Sequence, residues 1–486
     1  MNKYIRAVSS NYIFFSINTI FFLIITAVAI RIMGEELYGL WAILNAVLLF
    51  SGIGMLGMGV VVNKFASEGG ENALPANSII SAAVLILLPM AIIVMSLIII
   101  ARNWVAAQFG LTPQQQIQFS LALTLTALSI VPQFLGRIPH GYLLSQLKND
   151  LARTVESVTA ILIWTGAVII ASTNNNNLVW MSLWVLCIQI TSASILFAIV
   201  IPMTHFQWQI EKKTILRMER FSGFSFLESL ASGLFNQFDR ILVGFIIGPA
   251  AAGVYAVGTS MALRLTLITN QIAEVIVPYA SYKSSTNQQD KLYSIFRKSS
   301  QLAGLIVGTL TTVVILWMNN ILSLWLSPAY AEKYVNIFRA LLLAYLLISM
   351  SRLGHQVLTG TGKVKLVALI YLATSSFMLT MVYIFSLHYG ITGAALANLA
   401  MSFLLLFNLL VYREHEKDFF LAFINDLRYT FVIPCIVYVY TVLHQEISLQ
   451  TQIIGTLLLG LISIYHAYKI GAWGFVQEKL KIYRIK

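Results

Sequence analysis

The chain has 486 residues, of which 58% are apolar and only 10% charged, and its formal net charge is +12. An ordinary soluble domain is about a quarter charged, and a soluble globule of this length could not hide so much apolar surface. The basic excess, which in a soluble chain would point to nucleic acid, is confined to short segments between apolar runs, so nucleic acid is excluded and the lipid bilayer is the expected surrounding.

A helix needs about 20 apolar residues to cross a hydrocarbon core of about 30 Å. Lys3 and Arg6 precede the charge-free run Ala7 to Ile30. That run is longer than the roughly 7 to 15 residues of a secretory signal core and has no small-x-small cleavage pattern, so it reads as a permanent first span. The sequence then places spans at 11–32, 37–62, 77–101, 114–136, 155–172 and 178–201, followed by 223–247, 253–279, 300–326, 337–358, 366–386, 392–412, 429–444 and 452–470. The expected fold is therefore an all-α integral membrane protein of about 14 transmembrane helices. Cys187 and Cys435 lie in separate apolar runs and read as small core residues rather than a disulfide or metal site.

Cytoplasmic loops of membrane proteins carry an excess of Lys and Arg. With both termini in the cytoplasm, 24 of the 31 basic residues fall on the cytoplasmic side, and only Arg31, Arg102 and Lys333 on the other. The remaining four, Arg240, Arg264, Arg339 and Arg352, fall within spans. An error of one span would scramble this asymmetry.

The longest basic connection, Pro202 to Ser222, holds Glu211-Lys212-Lys213 and Arg217-Met218-Glu219-Arg220 with apolar residues between them. It reads as an amphipathic linker at the cytoplasmic face. The expected organisation is an N-lobe at 1–201, this linker at 202–222, a C-lobe at 223–412, and a terminal helix pair with a basic tail at 413–486.

An internal repeat supports two lobes of six helices each. Gly34, Gly39, Leu40, Trp41, Ala42 and Ile43 are matched by Gly248, Gly253, Val254, Tyr255, Ala256 and Val257, at an offset of 214 residues. Both copies sit at the outer turn between the first and second helix of a lobe and run in the same direction. The repeat is thus parallel, its axis is along the membrane normal, and such lobes enclose a central cavity.

The stretch Asp239-Arg240-Ile241-Leu242-Val243-Gly244, followed by Gly248 and Gly253-Val254-Tyr255-Ala256, carries a resemblance. Leu358-Thr359-Gly360-Thr361-Gly362-Lys363 and Tyr389-Gly390-Ile391-Thr392-Gly393-Ala394-Ala395 add to it. The chain resembles the polysaccharide-exporter branch of the multidrug/oligosaccharidyl-lipid/polysaccharide (MOP) superfamily. The resemblance implies a MATE-like fold, a bacterial inner-membrane location and a cargo of undecaprenyl-diphosphate-linked oligosaccharide such as O-antigen units. It also implies membrane lipids and a polysaccharide polymerase or other assembly proteins as partners. Two departures stand out. No acidic residue precedes the glycines of Ser51-Gly52-Ile53-Gly54, and the first span lacks the internal arginines typical of lipid II flippases.

Ionisable residues inside spans are expensive and mark functional candidates. They are read as confined to the second lobe: Glu228, Asp239 and Arg240, then Arg264 and Glu274, then Arg339, Arg352 and His355. At about 1.5 Å per residue, Arg240 lies about 12 Å and Arg264 about 18 Å below the outer surface, and Glu228, Glu274 and Arg352 about 24 to 33 Å. Ser225, Glu228, Ser232, Asn236 and Asp239 or Arg240 form a polar stripe at helical spacing. The first span has a weaker counterpart in Asn11 and Asn18.

Two readings of these charges stand side by side. In one, Arg240 and Arg264, with Asp239 and Asn236 beside them, hold the diphosphate of a lipid-linked sugar, because guanidinium stays charged and forks onto phosphate oxygens. In the other, Asp239 with Arg264, or Glu274 with Arg352, lock helices together, and Glu228, Glu274 and Arg352 serve gating, ion coupling or structure. Arg339 is expected to snorkel to the interface and His355 to pack at a helix end.

No cofactor or metal is expected. Gly360 and Gly362 before Lys363 fail the phosphate-loop pattern, because Val357 stands where its first glycine belongs and Val364 follows the lysine. The resulting expectation is a flippase without enzymatic activity. Its competitors are an ion-coupled multidrug antiporter or a lipid II flippase on the same fold, and a membrane-embedded glycosyltransferase. The antiporter would want an acidic cavity, and the transferase a long outer loop that this sequence lacks.

Overall fold

The structure, a computed structural model, describes residues 2–68, 74–173, 178–233, 237–274, 289–444 and 447–469. It is helical almost throughout and forms two compact units, Met1–Val254 and Tyr255–Lys486. Among the described residues ten helices are long and apolar enough to cross a membrane, or up to 11 if the bent pair Phe419–Arg428 and Thr430–Leu443 forms one crossing. Fourteen crossings thus stay the sequence expectation. Two of the ten, Ile17–Met55 and Lys365–His415, are interrupted at Gly34 and Gly390, where φ is +71 and +60°. At both glycines the sequence had placed a turn between consecutive spans. Only a residue without a Cβ takes such backbone angles at little cost.

In the first unit α1 (Asn2–Ser51) leads through a short 3-10 turn to α2 (Met58–Ser67). Next come α3 (Ala76–Ala107), α4 (Pro113–Leu128), α5 (Ile130–Ser145), α6 (Asn149–Thr173) and α7 (Leu178–Thr204). Thr112 starts α4 with a complete capping box: its hydroxyl accepts from Gln115 N, and the Gln115 side chain accepts from Thr112 N, with Pro113 at the first helical position. Helix α1 packs on α6, α2 on α5, and α4 and α6 on α7.

The basic connection after α7 resolves into an extended stretch at 206–211 and then α8 (Lys212–Gly233), which runs on into the seventh predicted span. Its amphipathic start is anchored by protein contacts. Thr214 and Met218 are buried, Ser78 donates to Thr214 at 3.0 Å, Arg217 pairs with Glu68 at 2.9 Å, and Lys64 caps the Phe221 ring at 3.7 Å. Helix α9 (Asp239–Ile246) follows, and α10 (Pro249–Glu274) crosses from the first unit into the second.

The second unit continues with α11 (Gln289–Trp325), α12 (Pro328–Gly360), α13 (Val364–Ala397), a 3-10 stretch and α14 (Leu406–His415), then α15 (Phe419–Leu443) and α16 (Leu449–Lys469). Helix α12 is its axis, packed by α11, α13, α14 and α15. Its most apolar window is 89% buried, against 11% for that of α16, which therefore lies at the lipid boundary. Asn408 on α14 ties the core together, accepting from Gly354 N at 3.0 Å and donating to Met350 O at 2.9 Å. Large apolar side chains such as Ile100 and Leu324 are more than four-fifths exposed. On helices long and apolar enough to cross a membrane, such exposure is natural against acyl chains.

Arg339 departs from the expectation. It does not snorkel: it is 2% exposed. Its guanidinium donates to Ile315 O at 3.3 Å, to Asn336 Oδ1 at 3.0 Å and to Thr441 O at 2.9 Å, which joins α11, α12 and α15. Thr441 lies in the last turn of α15, where carbonyls lack intrahelical partners and the helix dipole favours a cation.

Candidate functional site

Helix α9 carries the first group of predicted site residues. Residues 237–238 form a π-type turn directly before it, a local widening frequent at functional sites. The helix is pinned through its apolar face. Ile241 and Val243 are buried, Phe245 stacks on Phe109 at 4.7 Å, and Phe238 meets Phe50 at 5.3 Å. Asp239 is 1% exposed, and its Oδ1 accepts from Arg240 N at 2.9 Å in the first helical turn, where a carboxylate meets the positive end of the helix dipole. Arg240 is half-buried. Its Nη1 reaches Gln237 Oε1 at 3.5 Å, and it lies within electrostatic reach of the buried Tyr38. Tyr38 and Trp41 on α1 and Trp164 on α6 form an aromatic cluster, with ring centroids 6.3 Å apart in both pairs to Trp164. Asp239 and Arg240 are therefore held in place by their own helix and its apolar seat.

The other predicted residues are distributed as follows. Arg264 is a partly buried residue on the α10 portion of the second unit. Arg352 lies on α12 and donates from Nη1 to Tyr371 Oη on α13 at 2.9 Å, beside His355, whose ring stands edge-on to Tyr371 at 5.3 Å. His355 is buried against Phe407 as well, in keeping with a packed residue. Asn236 lies outside the described residues, as do the side chains of Ser225, Glu228, Ser232 and Glu274. The counterpart on the first span is partly visible: Asn18 donates to Ser157 on α6 at 2.8 Å.

The sequence reading missed a second charged group. Intramembrane ionisable residues are not confined to the second half, because Glu156 sits inside α6 and gathers Arg153 at 2.8 Å, Arg137 at 3.5 Å and His140 at 3.6 Å. Arg137 and His140 come from α5, and all four residues lie on helices long and apolar enough to cross a membrane. Two guanidinium groups and an imidazole around one carboxylate make a net-positive patch about 10 Å from the start of α6. The available signal was the helical spacing of Arg153 and Glu156, at i and i+3, which extends the helix below the predicted start at 155.

Arginines remain charged in a low-dielectric setting and present planar donor pairs that match phosphate oxygens. Among the described residues no group of three or more His, Cys, Asp or Glu is placed to hold a metal ion.

The fold is shared with solved structures of a lipid II flippase and a MATE family transporter. The structure is similar to the lipid II flippase MurJ in an inward closed conformation, with a TM-score of 0.70 at 16% identity over 96% of this chain and 99% of that one. It is also similar to an inward-facing multidrug resistance MATE family transporter of the MOP superfamily, with a TM-score of 0.63 at 12% identity over 89% and 98% of the two chains. In sequence, a Shigella flexneri protein assigned as an O-antigen transporter is 22% identical over 375 residues, which is 76% of this chain and 87% of that one. Residues 5–284 match the family model described as polysaccharide biosynthesis protein, and the chain belongs to that family. It is a multi-pass membrane protein.

Proposed function

We propose that the protein is a flippase that carries undecaprenyl-diphosphate-linked oligosaccharide, an O-antigen unit or a similar polysaccharide repeat, across the bacterial inner membrane by alternating access. Membership of the polysaccharide biosynthesis family carries this reading, and the O-antigen assignment of the Shigella flexneri relative accords with it. In this proposal Arg240 and Arg264 engage the diphosphate, with Asp239 and Asn236 completing the polar surroundings. Glu228, Glu274 and Arg352 act in gating or coupling. What supports a role for Arg240 is its setting: a half-buried guanidinium on an otherwise apolar helix, beside a carboxylate already engaged by the helix backbone. In this proposal both termini face the cytoplasm, in line with the positive-inside reading of the loop cations.

The test is complementation of a strain lacking its own flippase, with surface polysaccharide and membrane abundance of the protein read together. Arg240→Ala and Arg264→Ala should lose surface polysaccharide at normal abundance. Lysine at either place should retain part of it, since it keeps the charge but not the fork. Loss of abundance in the alanine variants, rescued by Asp239→Ala, would instead assign these residues to structure.

A further inference from the structure

A further cavity lies in the second unit. It has a volume of about 500 Å³ and opens among the ends of α11, α15 and α16, within the roughly 300 to 1,000 Å³ typical of small-molecule sites. Arg297, Lys298 and Lys469 line it, and Asp426 is the one carboxylate among the described lining residues. That carboxylate is already committed: it accepts from Arg297 Nε at 3.0 Å, from Gln301 Nε2 at 2.9 Å and from the Tyr412 hydroxyl. Arg297 is further held by Glu416 at 3.0 Å, and Tyr293 donates to the same Glu416 oxygen at 2.9 Å. The cavity is therefore a braced, net-positive pocket whose acidic member faces its own network.

Its surroundings fix the kind of anion. Tyr465 and Tyr468 on α16 are 63% and 85% exposed, and exposed tyrosines at a helix end mark the headgroup level of a bilayer. One to two turns deeper along the same three helices a separate, much smaller crevice of about 10 Å³ adjoins it, room for roughly one water. Leu305 and His466 line both cavities, and Ile433, Pro434, Leu459 and Ile462 line the crevice alone. Its hydroxyls are satisfied internally, Thr309 with Ser463 at 2.7 Å. A phosphate head held at this level by a molecule whose alkyl tail lies in the bilayer beside α16 matches the pocket.

We propose that this pocket binds the phosphate head of an anionic membrane amphiphile, seated between Lys298 and Lys469 with its chain in the bilayer beside α16. The glycerophosphate of a bilayer phospholipid and the diphosphate of a prenyl carrier share that chemistry. The proposal is independent of the flippase reading, since it requires only that α16 borders lipid.

The test uses the purified full chain in nanodiscs of neutral phosphatidylcholine, with retention of added lipid read by native mass spectrometry. Added phosphatidylglycerol should be retained, and the double variant Lys298→Gln/Lys469→Gln should retain it roughly thirtyfold less well, as expected for two lysines at an anionic headgroup. Retention by the native protein should also weaken with added salt. Geranylgeranyl diphosphate in place of phosphatidylglycerol distinguishes the source: retention of the diphosphate alone identifies a prenyl carrier, and retention of phosphatidylglycerol identifies a bilayer lipid. Equal retention by the native and double-variant proteins, or full displacement by inorganic phosphate, would overturn the proposal. Thermal unfolding of the double variant at the native temperature shows that a loss of retention is not a loss of fold.

Discussion

Gly39 and Gly253, the second glycines of the two repeat copies, are 214 residues apart in sequence and touch in space. A Cβ on Gly253 would lie 2.9 Å from Gly39 Cα and 3.0 Å from Glu35 O. A Cβ on Gly39 would lie 1.7 Å from Pro249 O, and Pro249 is the repeat partner of Glu35. The contact is thus self-complementary, each copy offering its glycine to the other's helix start, as at a two-fold interface. Gly34 and Gly248, the first glycines, both take positive φ, at +71 and +122°. The repeat motif therefore encodes two things at once: a turn that only glycine makes easily, and a backbone approach that only glycine permits.

Alanine at position 39 should be poorly tolerated. The backbone oxygen of Pro249 cannot yield as a flexible side chain would, so overpacking of about 1 to 3 kcal/mol is expected. Purified Gly39→Ala should unfold at a clearly lower temperature than the native protein, and Gly253→Ala should be affected less, in line with its longer distances. Unchanged unfolding in Gly39→Ala would show that the close approach is dispensable.

Arg339 should behave as a structural residue. Methionine there keeps much of the volume but strips the donors from Thr441 O and Ile315 O, at about 1 to 3 kcal/mol for the buried acceptors left behind. The expected result is lower membrane abundance and a lower unfolding temperature, with flipping per folded molecule unchanged. A variant that is fully stable but inactive would place Arg339 in transport instead.

Orientation follows from cation counting and is open to direct test. Reporter fusions after Gly110, between α3 and α4, and after Gln146, between α5 and α6, flank a single predicted span. The first should report the periplasm and the second the cytoplasm. The reverse pattern would invert the proposed topology.

Much of this fold was legible because apolar length and glycine position are local properties. The turns at Gly34 and Gly390 and the helix start at Pro113 all follow from a few adjacent residues. Features that depend on distant backbone were not legible. The carbonyl partners of Arg339 belong to Ile315 and Thr441, which have no side-chain signature, so a buried clasp looked like an interfacial cation. Glu156 was missed for a different reason. Its predicted span, 155–172, already contains it, but its partners Arg137 and Arg153 fall just outside the predicted spans and read as loop charges, although α5 and α6 carry them inside the helices. Asp239 and Arg240 were recognisable as intramembrane charges, but the commitment of the Asp239 carboxylate to the backbone of its own helix was visible only in three dimensions.

In the proposed function the protein moves a diphosphate-linked glycan lipid and Arg240 grips its charge. The most direct measurement is translocation of a labelled undecaprenyl-diphosphate oligosaccharide in proteoliposomes, comparing native protein with Arg240→Ala reconstituted at equal amounts. Losing one charge-assisted contact, about 1.5 to 3 kcal/mol, corresponds to a rate roughly ten- to a hundredfold lower. The account predicts protein-dependent translocation that falls by that factor in the variant. Translocation no faster than in empty liposomes would contradict the flippase reading, and native-like translocation by Arg240→Ala would contradict the diphosphate grip.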